Sequence, residues 1–479
     1  MKGFVRCCAL ALAACLVLAG CAQALPPQPT LDELLAETNA AHQAIDNDGL
    51  KSEFIWRKPV DESGEPISAS EINSYFTDIA DLESVDPDLV LTQEQMIEDV
   101  TYLFDAIYSC YGNYDRMGGR AAFDAAEQAI LKECAQHASL SVKEFQKLLV
   151  PHFAFVKDAH FQIHGQKTNP CWYPFFFREV AFYEDDGQYI TADRKTVASV
   201  DGYADLSRLF KRSISPEGEI VYYPVLLKDS TTCDEILTVH YTDGSTQVLQ
   251  SNPCDYSERL QRFLSMEQYV ISKLTYKNGI PVLRVNSMQS GSDSSWKETF
   301  LGGAKTLGNS KISVLDLRLN PGGTYTMLEE WFKAYAKAQV PANSIFRDAF
   351  TGEQLFSARD TWVENDNLLI VLTSKLTASG AEWLIDAAYN LENVLIVGEN
   401  TYGALIGSSS EVQMKNSKIV IKIGNLENIV PSANDYFEEF RGFYPDLWVP
   451  AGEAEELAVK LMENLGAVQA EGEAASPAA

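Results

Sequence analysis

The residue types best suited to chemistry fall in separated short stretches of the 479-residue chain. Residues 368–388, LLIVLTSKLTASGAEWLIDAA, begin with a continuous apolar run and end with apolar residues at helical spacing. The stretch reads as a strand buried on both faces, a polar turn and a helix. Ser379 then stands at the helix N-terminus, where unpaired N–H groups and the positive end of the helix dipole favour developing negative charge. A serine that attacks a carbonyl needs such a place for its oxyanion. The same serine with Glu382 spells a capping box, in which the hydroxyl only satisfies the backbone. Local sequence leaves both readings open.

Other stretches offer what such a serine would need. SVLDLRLNPGG, residues 313–323, is a buried strand ending in Asn320-Pro321-Gly322-Gly323. Its glycines either let N–H groups point into a cavity or simply make a tight turn. Asp158-Ala159-His160 holds one of only six histidines, so His160 is a candidate base at neutral pH, with His152 a weaker alternative. His160 and His164 could share a face, but a metal pair would need a third ligand close by in the sequence, so no metal is expected. FEEFRGFYPD, residues 437–446, sets Glu438 and Glu439 before an Arg-Gly turn and taken alone reads as a solvated acidic loop.

The elements that must position these residues follow from periodicity. Residues 25–90 are a proline-rich linker and an acidic, partly helical extension. Residues 91–168 read as a helical domain, with helices near 92–111, 120–137 and 141–153, ending in the histidine segment. Residues 171–256 are rich in aromatic and β-branched residues with regular turn signals, a small β domain. Within it VASVDGYADLSRLF, 197–210, resembles a PDZ-like module: strand, tight turn, helix, beside a groove that accepts a peptide as an added strand. Residues 268–450 alternate strand and helix, the mark of an α/β domain, and include a hairpin from Val412 to Ile423. Residues 451–479 give one last helix and a small, polar tail.

Composition bounds the partners. The chain carries 67 acidic and 38 basic residues, a net charge of −29, which argues against nucleic acid and anionic membrane surfaces. Residues 1–24 read as a signal: Lys2 and Arg6, a short apolar core, then Leu18-Ala19-Gly20-Cys21. That motif resembles a bacterial lipobox, which makes Cys21 the lipidated first residue of a membrane-anchored, exported protein. Simple secretion after Ala24 is the alternative. Of nine cysteines, five lie beyond the signal: Cys110, Cys134, Cys171, Cys233 and Cys254. Export permits disulfides, and Cys233–Cys254 and Cys110–Cys134 are the pairings considered.

Taken in order, these stretches resemble the tail-specific, or C-terminal processing, peptidases. The resemblance rests on Leu315-Asp316-Leu317-Arg318 with Asn320-Pro321-Gly322-Gly323, on Leu372-Thr373-Ser374 with Thr377-Ala378-Ser379 and Glu382, on Val397-Gly398-Glu399 with Thr401-Tyr402-Gly403, and on Glu439, Gly442, Pro445 and Asp446. It implies a ClpP/crotonase-like α/β core with the helical domain and the PDZ-like insert attached, no cofactor, and a protein or peptide substrate. Members with a Ser-Lys dyad place lysine just after the glycine of T-Y-G, where this chain has Ala404. Lys375 and Lys422 are the other lysines considered, and the motif supports neither. The tricorn-core branch uses a serine, an upstream histidine and a later glutamate. The resemblance therefore implies Ser379 as nucleophile, His160 as base and Glu439 as its orienter, with Glu438 as alternative. It also implies an oxyanion site made by the N–H groups of Gly380 and of Gly322 or Gly323. The rival is a surface lipoprotein that holds peptides or apolar ligands on the same fold without cleaving them.

Overall fold

The computed structural model describes residues 24–46, 50, 59–61, 63–267, 270–289, 295–324, 326–351, 354–356, 362–431 and 436–468. Cys21 and the rest of residues 1–23, like the last part of the tail, lie outside them. Helix α1 (Leu31–Gln43) starts at a Thr30/Glu33 capping box and lays Leu34 onto the core. Helices α2 (Gln93–Cys110), α3 (Gly119–Cys134) and α4 (Val142–Leu149) form the helical unit. In α2, Met96, Val100, Leu103, Phe104 and Ile107 are buried at helical spacing, behind a Thr92/Gln95 capping box. A short turn of 3₁₀ helix, Val150–Phe153, leads to the histidine segment and to two very short strands, β1 (Gln162–Ile163) and β2 (Gln166–Lys167).

Between Tyr173 and Gln250 the chain makes the β-rich insert, with one five-stranded and one three-stranded sheet. The helix suggested within 197–210 is a single turn, Leu206–Leu209. Asp205 caps it, and buried Phe210 already belongs to the next strand. Helix α5 (Tyr256–Met266) returns to the α/β part.

A six-stranded sheet organises the rest. It runs in the order β3 (Ser272–Lys277), β4 (Ile280–Val285), β5 (Ile312–Asp316), β6 (Leu368–Thr373), β7 (Val394–Gly398) and, at its far edge, a two-residue strand, Leu447–Trp448. The first pair is antiparallel and the others are parallel. All six residues of β6 are buried. Along it Leu369 and Val371 enter the core beneath α6 (Ser295–Gly308), α7 (Leu328–Ala336) and α8 (Gly380–Ala388). Leu368, Ile370 and Leu372 enter the opposite core, beneath α1 and α9 (Ala454–Asn464). A side-chain period of two divides one apolar run between two helix layers. The loops that follow β5, β6 and β7 all leave from the C-terminal ends of parallel strands, where α/β sheets place their sites.

Two expectations change. The hairpin β8 (Ser410–Gln413) and β9 (Val420–Ile423) does not serve the central sheet. It extends the sheet of the histidine segment, in the order β8-β9-β1-β2, with Ile421 opposite Ile163 and Lys422 opposite Gln162. Its Val412, Ile421 and Ile423 share the core of α2–α4. Two-residue strands have no stability alone, so this borrowed hairpin is one of the supports of the histidine segment.

The considered disulfides are not formed, and all five cysteines of the described residues are free thiols. Cys110 ends α2 and Cys134 ends α3, but Gln93, which opens α2, bonds through Nε2 to the Cys134 carbonyl. The two cysteines therefore lie at opposite ends of the helix pair, about 25 Å apart at 1.5 Å per residue. Cys233 and Cys254 adjoin through a 2.8 Å backbone hydrogen bond, yet one thiol is buried and the other is exposed.

Candidate active site

Ser379 lies between β6 and α8 with φ 54° and ψ −120°, a backbone conformation that a side chain rarely tolerates. Strand, strained serine and helix are the geometry that lifts a serine hydroxyl to the top of a sheet. The hydroxyl Oγ is 3.1 Å from His160 Nε2, across 219 residues of sequence. The carboxylate of the sequence-level capping box is present too: Glu382 Oε2 accepts the Ser379 N–H at 2.9 Å, and the Glu382 N–H goes to the Ser379 carbonyl at 2.8 Å. Helix capping and a serine turned to a base are therefore compatible.

The Asn320–Gly323 turn is built against this serine. Ala378 N–H donates to the Asn320 carbonyl at 2.9 Å, and Gly322 N–H to Asn320 Oδ1 at 2.9 Å. Gly322 has φ 96°, and a Cβ there would stand 2.6 Å from the Ala378 carbonyl oxygen and 2.8 Å from Ser379 Cβ. Gly322 is thus glycine for close approach, and its N–H is already used. Among the described residues the N–H groups of Gly323 and Gly380 have no hydrogen-bond partner. They also lie close together, since a Cβ on Gly380 would sit 3.2 Å from Gly323 N.

Glu382 is fully buried and collects further donors from the loop after β7: Thr401 Oγ1 at 2.5 Å, Gly403 N–H at 2.7 Å and Ala404 N–H at 2.9 Å. Burial pushes its carboxyl up, and these bonds oppose that. Ala404, where a dyad lysine would stand, is thus packed under the histidine segment with Ala159. Lys375 is buried as well. Its Nζ donates to the carbonyls of Thr401, Tyr402, Phe440 and Arg441 at 2.7, 2.9, 3.0 and 3.1 Å, so it clamps two loops and is not placed as a base. Burial lowers its ammonium to about 8. Lys422 lies on β9 near Glu411, and His152 pairs with Glu133.

The carboxylates near His160 are arranged differently from expectation. Glu439 makes no hydrogen bond to the ring. Its Oε1 accepts the Ala159 N–H at 2.9 Å, and its Oε2 accepts the N–H groups of Leu405 and Ile406 at 3.2 and 3.4 Å. Glu438 is exposed and paired with Arg441 at 2.8 Å. Asp158 is fully buried and accepts the His160 N–H at 2.8 Å, the Tyr111 hydroxyl at 2.9 Å and Asn113 Nδ2 at 3.2 Å. Nothing in the local sequence marks the role of Asp158, nor marks Lys375 and Glu382 as the residues that hold the loops of the site. Asp158, His160 and Glu439 each bring one nitrogen or oxygen within 4.8 Å of the others. All four carboxylate oxygens already accept N–H or O–H groups, which suits a set that supports a histidine better than one that holds a cation. His164, at the exposed turn after β1, is not part of the trio. Burial lowers the His160 pKa; the Asp158 charge opposes that and Lys422 adds to it.

A strained serine at a strand–helix turn, a histidine at its hydroxyl and two open N–H groups beside it form the arrangement of a serine hydrolase. The sequence model of Peptidase family S41 matches residues 279–449, the span that carries the central sheet, the Asn320–Gly323 turn and Ser379. Over that span the chain is similar to the family, and the protein is a serine-type peptidase. No curated protein matches the chain by sequence. Among solved structures it is similar to mature CPAF, with 13% identity over 79% of this chain and 99% of that one and a TM-score of 0.41. It is also similar to the photosystem II D1 C-terminal processing protease, with 15% identity over 75% and 94% and a TM-score of 0.37. The tricorn protease matches at 11% identity over 78% of this chain and 37% of that one, with a TM-score of 0.38.

Proposed function

We propose that this chain is an exported serine endopeptidase that cleaves protein or peptide substrates through an acyl-enzyme. The observation that carries the assignment of roles is the 3.1 Å approach of His160 Nε2 to the hydroxyl of the strained Ser379. The Ser379 proton passes to His160 Nε2 as Oγ bonds to the scissile carbonyl carbon. The carbonyl oxygen takes up the displaced electron pair, and the N–H groups of Gly323 and Gly380 receive it. The imidazolium then gives its proton to the leaving nitrogen as the C–N bond breaks. Water hydrolyses the ester by the same route, with His160 again taking and returning a proton. Glu439 supports the base by holding the Ala159 N–H beside it.

Labelling with a rhodamine fluorophosphonate tests the reading. Folded wild-type protein is expected to label at Ser379, with labelling lost in Ser379→Ala; wild-type protein that takes no label refutes it. Export and anchoring through Cys21 are supported by the Leu18-Ala19-Gly20-Cys21 motif behind a basic, apolar leader. Labelled palmitate should enter the wild type and not Cys21→Ala; equal incorporation would sink the anchor.

A further inference from the structure

An imidazole that deprotonates a serine becomes an imidazolium, and something must hold its second N–H and offset its charge. His160 Nδ1 is buried and has no hydrogen-bond partner among the described residues. Glu439, the carboxylate expected there, has both oxygens engaged by backbone N–H groups. Asp158 Oδ1 lies 3.8 Å from Nδ1. The same oxygen accepts the backbone N–H of His160 itself, so carboxylate and ring are tied to one turn of chain. Tyr111 and Asn113 fix its other oxygen from the helical unit.

We propose that Asp158 is the positioning residue for His160: it faces Nδ1 and supplies the negative charge that stabilises the imidazolium, while Glu439 holds the backbone of the segment. The inference rests on the serine peptidase reading of the site. His160 is faced by Asp158 from its own segment, by Glu439 from the 437–446 loop, by Lys422 from β9 and by Ser379. Of the charged groups that act on its pKa, Asp158 raises it and Lys422 lowers it, beneath a larger lowering by burial. Burial, and then the Asp158 charge, push the Glu439 carboxyl well above the ordinary carboxylate range. What separates the two acids is placement: Glu439 gives both oxygens to backbone N–H groups, while Asp158 presents Oδ1 to the ring. When Nε2 takes the serine proton, both ring nitrogens carry hydrogen, and an approach of about 1 Å brings Nδ1–H within bonding distance of Asp158.

The experiment follows the rate of fluorophosphonate labelling against pH in the full chain, so no substrate need be known. In Asp158→Asn the rate at pH 8 should fall about 100-fold, the scale of a disabled general base. The acid limb should also move to lower pH, because the charge that favours the imidazolium is gone. Glu439→Gln should keep the limb where the wild type has it. A limb that stays in place in Asp158→Asn, or one that moves down in Glu439→Gln instead, overturns the proposal. If Asp158→Asn does not fold, Tyr111→Phe serves: losing a donor concentrates the Asp158 charge, and the limb should rise. An unmoved or lowered limb in that variant counts against it. Wild-type protein that never labels fails the peptidase reading itself, a different result from a labelled wild type with an unaltered Asp158→Asn.

Discussion

Lys375→Met separates a structural cation from a catalytic one. The wild-type ammonium gives hydrogen bonds to four carbonyls. Two of these keep another donor when it is removed: Phe440 O holds the Trp172 N–H, and Arg441 O holds Asn400 Nδ2. Thr401 O and Tyr402 O lose the only hydrogen bond each accepts among the described residues. Two buried carbonyls left unpaired cost about 2–6 kcal/mol together. Against this, an ammonium lowered from 10.5 to about 8 signals a charge-burial cost of about 3 kcal/mol at neutral pH, which methionine removes. The two effects largely offset, and a net loss of about 1 kcal/mol is expected. Function should suffer more, because Phe440 and Arg441 directly follow Glu439, and loops 401–404 and 439–441 lose their common anchor. Fluorophosphonate labelling should slow at least about tenfold, since small misplacements at an active site are costly. Stability should also change its response to pH. The unfolded lysine holds its proton up to about 10.5 and the folded one only to about 8, so between these values the unfolded state binds more protons and wild-type stability rises with pH. Lys375→Met should lack that rise. Thermal unfolding by near-UV circular dichroism at pH 7 to 10, beside labelling rates, reads both effects. A variant with wild-type labelling and an unchanged pH slope would refute the clamp.

Two further outcomes follow from the site. In Gly323→Ala the new Cβ would stand 2.2 Å from the Met288 carbonyl carbon at φ 130°, so the turn must move and the Gly323 N–H with it. Labelling should fall about 100-fold or more, the scale of one lost oxyanion donor, as read by gel fluorescence; wild-type labelling would remove Gly323 from the oxyanion site. The labelling rate of the wild type should fall on acidification, because His160 must be neutral to accept the proton. Burial lowers its pKa, so the decline should centre below the ordinary histidine value of about 6.5. A midpoint above that value would contradict the placement of His160 as a buried base.

Local sequence determined whatever depends on neighbours along the chain. The continuous apolar run of β6, the polar turn after it and the helical spacing beyond give strand, turn and helix, and so the place of Ser379 at a helix start. The paired glycines after Pro321 belong to a turn that a larger residue would block. The order of motifs then pointed to the peptidase family, to His160 and to Glu439. What the sequence could not carry were contacts between distant segments. Whether the Ser379 hydroxyl caps its helix or meets a base depends on a histidine 219 residues upstream, supported in part by a hairpin borrowed from 410–423. That hairpin reads as part of the α/β domain because its own pattern does not say which strand it pairs with. Gly322 and Gly323 are equal in sequence, and only the side chain of Asn320 distinguishes them by occupying one N–H. Glu439 and Asp158 are both acidic residues near a motif. Which of them faces Nδ1 is decided by three backbone N–H groups that engage one and by a 3.8 Å approach of the other. Hydrogen bonds, burial and charge act through space. Their outcome is settled only when packing has chosen which segments share a site.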